Sequence, residues 1–167
     1  LPVAVPERRI ETPLAPLPGP LEVAVLDLPL ADGGGEDHWP HIAVAADPWP
    51  GAVSVRRAPQ DSGYEEIAAL RRPAFIGRLL EALAPGAGTL WQRVSVRAAL
   101  PGGALASAGE QAVLNGAGAL ALEAAPGQWE ILQAAEAELI GPGEYRLATL
   151  LRGRRGTEHL ATSPVPA

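Results

Sequence analysis

The chain has 167 residues, and its nineteen acidic and thirteen basic residues give a net charge of −6. Every base is an arginine, and lysine, cysteine and methionine are absent. This excludes a phosphate-loop or Schiff-base lysine, thiol nucleophiles, disulfides, iron–sulfur clusters and thiolate zinc sites, and the acidic balance argues against a broad nucleic-acid surface.

Without a methionine, the chain reads as a processed product or a segment cut from a longer protein. No apolar run reaches the roughly 18 residues of a membrane span. Aromatic residues make up only 4% of a 47% hydrophobic composition, so the core must be built from Ala, Val and Leu.

Residues 1–20 hold six prolines, a density that blocks helices and sheet ladders alike, and read as an extended linker. Residues 21–30 begin as a strand with Leu21, Val23 and Val25 on one face. Gly33, Gly34 and Gly35 lie in a flexible loop and lack the lysine and helix start of a phosphate cradle. Residues 41–46 and 51–57 are short β runs separated by Asp47-Pro48-Trp49-Pro50, a turn signal. A turn at residues 58–63 leads to a returning strand at 64–68, which suggests an antiparallel meander. Residues 74–84 fit a helix through Phe75, Leu79, Leu80 and Leu83, but Gly77 and Pro85-Gly86 fit a strand; the strand is preferred. In residues 91–100, Val94, Val96 and Ala98 alternate with Arg93, Ser95 and Arg97, as in a half-buried strand. Further short strands are expected at 112–114, 119–122, 128–139 and 144–151, divided by Asn115-Gly116, Pro126-Gly127 and Gly141-Pro142-Gly143, and Asn-Gly is a favoured hairpin pair. Val-Ser-Val-Arg occurs at 53–56 and again at 94–97, a hint of duplication.

The expected fold is all-β, an antiparallel β-sandwich or small β-barrel or barrels with little or no helix. Its expected parts are the 1–20 linker, a β lobe at 21–100, a second β lobe at 101–161 and a loose tail at 162–167.

The chemistry-bearing residues are sparse. His38 and His41, with Asp37 and Asp47 nearby, form the one histidine cluster, but a polar loop is the stronger reading because no third ligand converges. Glu136 and Glu138 share a strand face and, with Glu65 and Glu66, are the candidate carboxylate pairs for glycoside hydrolysis; a solvated face is the commoner meaning. None of the five serines lies in a nucleophile elbow. Arg152-Gly153-Arg154-Arg155-Gly156 is the densest positive stretch, read as a turn with paired arginines and glutamates rather than a phosphate contact. Trp39, Trp49 and Tyr64 are the candidates for a glycan or partner contact, with packing over the open end of a barrel as the plainer role for the tryptophans.

A family resemblance is carried by strings that occur in one order: Val113-Leu114-Asn115-Gly116-Ala117, Trp129-Glu130-Ile131-Leu132-Gln133, Ala137-Glu138-Leu139, Tyr145-Arg146-Leu147, and Leu150-Leu151-Arg152-Gly153-Arg154-Arg155-Gly156-Thr157-Glu158. Leu26-Asp27-Leu28-Pro29-Leu30 and Trp49-Pro50-Gly51-Ala52 add to it. Across residues 21–160 the chain resembles the C-terminal region of the large tail-tip (host specificity, phage tail) protein of gene transfer agents and siphophages. It departs from that pattern at Gln92, Gly118 and Ala134.

The resemblance implies a structural module of a tail hub or baseplate, acting in tail assembly and in host attachment or envelope penetration. It implies other tail-tip and baseplate proteins as partners, a homo-oligomer in the parent assembly, and residence in a tail assembled in the bacterial cytoplasm. The glycoside-hydrolase-like barrel of such proteins lies upstream of the matched region, so no catalytic residue, metal or cofactor is implied. The motif residues Asn115, Gly116, Glu130, Gln133, Arg152, Gly153, Arg155, Gly156, Thr157 and Glu158 are assigned structural roles. The alternative is a carbohydrate-binding β-sandwich that grips host glycan through Trp39, Trp49 and Tyr64.

Overall fold

The computed structural model describes residues 17–28, 40–86 and 90–167. Most of the 1–20 linker, the glycine loop, His38 and Trp39 lie outside them. The described fold is all-β, as expected, with antiparallel sheets that include a curled half-barrel.

Two ribbons come first. Strands β1 (Glu22–Leu26) and β2 (His41–Ala45) pair with each other, as do β3 (Val53–Arg57) and β4 (Glu65–Leu70). They form separate two-stranded sheets instead of one meander. The face of β1 expected to be apolar is largely exposed at Leu21, Val23 and Val25, and the ribbon's buried side chains are Leu26 and Val44.

The main sheet has the order β5-β6-β9-β8-β7 and is antiparallel throughout. Its strands are β5 (Arg78–Leu79), β6 (Gln92–Ala99), β7 (Ala119–Ala125), β8 (Gln128–Gly141) and β9 (Glu144–Arg154). The turn signals at Pro126-Gly127 and Gly141-Pro142-Gly143 close its two hairpins as expected, with Gly127 and Gly143 in the left-handed region that side chains resist. Pro101, the expected border, falls between strands of this one sheet: β6 precedes it and its partner β9 follows. The repeated Val-Ser-Val-Arg sits once in the exposed ribbon and once inside the sheet, in unlike settings.

β8 and β9 bury residues on both faces. Leu150 and Ala134 join Leu83, Val96, Leu100, Leu132, Tyr145, Leu147 and Val165 in the principal core. Their neighbours Leu151 and Ala135 pack instead with Val113, against Trp91 and Ala108. Consecutive buried residues follow from the two-residue alternation of a strand when both faces are covered.

Several local expectations are corrected. Residues 112–114 belong to a helix, α1 (Glu110–Leu114), not a strand. Glu, Gln, Ala and Leu are good helix formers, and five residues are too few for a periodic signal to emerge. Asn115-Gly116 ends this helix and is not a hairpin turn. The Asn115 N–H bonds the carbonyls of Gln111 and Ala112, and Gly116 takes φ 107°. In residues 74–84 only Arg78 and Leu79 form a strand, paired with Ala99 and Ala98, and Leu83 adds an isolated bridge to Val165.

The tail is not loose. A second helix, α2 (Glu158–Ala161), leads to Val165, which is buried and exchanges two backbone hydrogen bonds with Leu83, both 2.9 Å. Deleting residues 163–167 removes that bridge and the burial of one valine, worth about 1.5–3 kcal/mol. The urea midpoint followed by tryptophan fluorescence is expected to fall accordingly.

Candidate functional site

Among the described residues the buried polar side chains are Glu130, Gln133, Arg152 and Thr157. All four belong to the strings that carry the family resemblance, and the fold brings them to one place at the end of β9.

The centre is an ion pair with both side chains fully buried. Arg152 donates from Nε to Glu130 Oε1 (2.9 Å) and from Nη2 to Glu130 Oε2 (2.5 Å), a two-pronged guanidinium–carboxylate fork. Arg152 Nη1 donates to the Ala84 carbonyl. The Gly153 N–H donates to Glu130 Oε1 at 2.9 Å. Burying two charges is costly unless their remaining donors and acceptors are met, and here backbone groups from two segments meet them.

The register explains how Arg152 turns inward. Ile131 pairs with Arg154 and Gln133 with Leu151, so Arg152 and Gly153 together oppose Leu132. A two-against-one bulge of this kind bends the strand and re-aims its side chains. Gly153 takes φ 59°, and α2 crosses so close that a Cβ there would lie 2.6 Å from the Glu158 Cα.

Two further side chains secure the flanks. Thr157 Oγ1 donates to the Arg154 carbonyl (2.8 Å) and accepts the Ile131 N–H (3.0 Å), joining the start of α2 to β8. Gln133 Nε2 donates to the carbonyls of Val113 (2.5 Å) and Ala117 (2.9 Å), and its Oε1 accepts Arg154 Nε (2.8 Å). Gln133 therefore anchors the loop after α1 to the sheet. Gly156 supplies a positive-φ turn residue and Glu158 opens α2. The string read as a turn of paired arginines and glutamates is thus strand up to Arg154 and a turn only after it, and one of its arginines pairs with a buried glutamate from β8.

Beside this clasp is a concavity of about 180 Å³, lined in part by Asn115, Gly116, Gln133, Arg154 and Arg155. It is smaller than the roughly 300–1,000 Å³ of ordinary ligand pockets. A second hollow, of about 330 Å³, is lined by Glu22, Arg78, Glu144 and the prolines Pro101 and Pro142. No group of three or more His, Asp or Glu poised for a metal occurs among the described residues. No helix there is long and apolar enough to cross a membrane.

The other sequence candidates scatter. Glu136 accepts Thr149 Oγ1 (2.7 Å) and Glu138 pairs with Arg146 (2.8 Å), both on the open surface of the β8–β9 hairpin. Tyr64 is exposed and donates to Asp61 Oδ1 at 2.6 Å, a bond that, with slight desolvation, raises its pKa above the ordinary tyrosine value. Trp49 is half-buried, with its indole N–H enclosed and unpartnered. Sequence reasoning placed no weight on Arg154 or Ala84 in the clasp; a backbone carbonyl acceptor leaves no mark in a sequence.

Fold and site together define a small β-structural domain closed by a buried polar clasp. Residues 74–167, more than half of the chain, match the Rcc01698-like C-terminal family, and the chain belongs to that family. The matched span covers the five-stranded sheet and both helices, and the two ribbons precede it. No curated protein matches the chain.

Proposed function

We propose that this chain is a non-enzymatic structural module of a phage-like tail tip or baseplate hub, working through protein–protein contact in tail assembly and host attachment or envelope penetration. The observation that carries the reading is the fate of the resemblance motif. Its polar residues Glu130, Gln133, Arg152 and Thr157 are buried and spent on holding strands, a helix and a loop together. Residues used in this way specify an architecture, whereas catalysis needs groups that reach a substrate. A rigid sheet flanked by exposed ribbons suits attachment to neighbouring subunits.

The test is to place an affinity tag on the parent protein next to this segment and image purified tail particles. Label at the distal end of the tail is expected, and particles that assemble fully without the tagged protein would overturn the reading. Titration with envelope polysaccharide is the companion measurement. A tryptophan emission shift that disappears in Trp49→Ala would favour the carbohydrate-binding module instead.

A further inference from the structure

The clasp accounts for only part of the resemblance strings. Glu130, Arg152, Gly153 and Thr157 are spent inside it, but Asn115, Arg154 and Arg155 converge on the hollow of about 180 Å³. Three segments far apart in sequence meet there: the end of α1, the middle of β8, and the end of β9 with its turn.

Arg154 is half-buried and held in place, yet it has no counter-ion. Gln133, only 3% exposed and pinned by two backbone carbonyls, accepts its Nε at 2.8 Å. Its two Nη groups make no hydrogen bond or ion pair among the described residues, whereas Arg97, Arg146 and Arg152 each have a glutamate. A charge withdrawn from water without an opposite charge is costly, and a carboxylate meets it with strong, two-pronged bonds. Arg155 adds a second guanidinium. It takes φ 57°, a conformation that favours glycine. Its Nη2 lies 3.9 Å from where a Cβ on Gly116 would stand, so its head reaches the turn that ends α1. Backbone strain of this kind gathers at functional sites.

We propose that the hollow takes one carboxylate side chain, Asp or Glu, presented by an extended segment of a partner protein. Arg154 grips the carboxylate through its Nη groups, and Arg155 adds charge beside it. The exposed Asn115 amide, which has no side-chain hydrogen bond among the described residues, supplies a further donor. Leu114, Ala119 and Ile131 make the rest of the lining apolar, which suits the stem of such a residue and offers nothing to a phosphate. No aromatic ring is among the lining residues for a sugar to stack on. Ala119 also begins β7, the outer strand of the sheet, where an extended segment can add its backbone. Such a contact holds whether or not the chain works in a tail tip.

The test is an NMR titration of the isotope-labelled chain. The probe is an acetylated and amidated pentapeptide, Ala-Leu-Glu-Leu-Ala, whose one carboxylate is that of the glutamate. Saturable shifts are expected at the Arg154 Nε–H and at the amides of Asn115 and Gly116. Binding should weaken by about tenfold or more with the glutamine version of the peptide, and likewise in Arg154→Gln, as loss of a charge-assisted bond requires. Arg155→Gly, in which the left-handed residue becomes one that favours it, keeps the test open if Arg154→Gln folds poorly, and it too should bind more weakly. Glucuronate and inorganic phosphate should bind less tightly than the peptide. Tighter binding of either at the same signals, equal binding of the glutamine peptide, peptide binding unchanged in both variants, or no saturable shift would each overturn the proposal.

Discussion

Replacing Arg152 with methionine is expected to lower the unfolding free energy by about 3–5 kcal/mol, because Glu130 is left charged and enclosed without its partner. The usual rescue, in which both members of a buried pair become apolar, is expected to be incomplete here. Glu130 also accepts the Gly153 N–H, and Arg152 also meets the Ala84 carbonyl. A Glu130→Leu, Arg152→Met double variant therefore strands one donor and one acceptor, each at about 1–3 kcal/mol. The check is a double-mutant cycle by urea unfolding. A double variant as stable as the wild type would show that the backbone bonds contribute little and that the fork stands alone.

The second large effect is expected at Gly153. An alanine there must hold φ near 59° and drive its Cβ to 2.6 Å from the Glu158 Cα. The left-handed conformation costs an ordinary residue about 1–2 kcal/mol. Moving α2 aside adds overpacking strain of about 1–3 kcal/mol. Gly156→Ala is the internal control. That residue also has positive φ, 88°, but open space surrounds its missing Cβ. It should lose only the conformational part, so the gap between the two urea midpoints measures how tightly α2 is seated. Equal losses at both positions would mean that α2 shifts at no cost.

The sequence carried the β character of this chain because its signals were local. The alternation around Val96 and the Pro-Gly and Gly-Pro-Gly breaks lie within a few residues of the features they define, and the hairpins formed where those breaks stand. The helix at Glu110–Leu114 was not legible, since one turn of good helix formers has no period to read and Asn115-Gly116 serves a helix end as well as a hairpin. The tail was misjudged for a different reason. Val165 looks like any residue in a proline-containing terminus until Leu83, far away in sequence, is brought beside it.

The clasp lies between these cases. Arginine and glutamate in the motif suggested pairing, yet only the bulge opposite Leu132 turns Arg152 inward, and a bulge depends on the register of two strands. The pairing of β6 with β9 across Pro101 was not legible either, because strand neighbours in a sheet need not be neighbours along the chain.

The reciprocal bonds between Leu83 and Val165 fasten the last residues of the family segment to its buried core, a few residues after its β5 strand. The terminus is thus a latch, and what is joined to it has to respect the latch. A fusion partner attached directly after Val165 is expected to strain the bridge and lower the urea midpoint, whereas one attached through a linker beyond residue 167 should leave it unchanged.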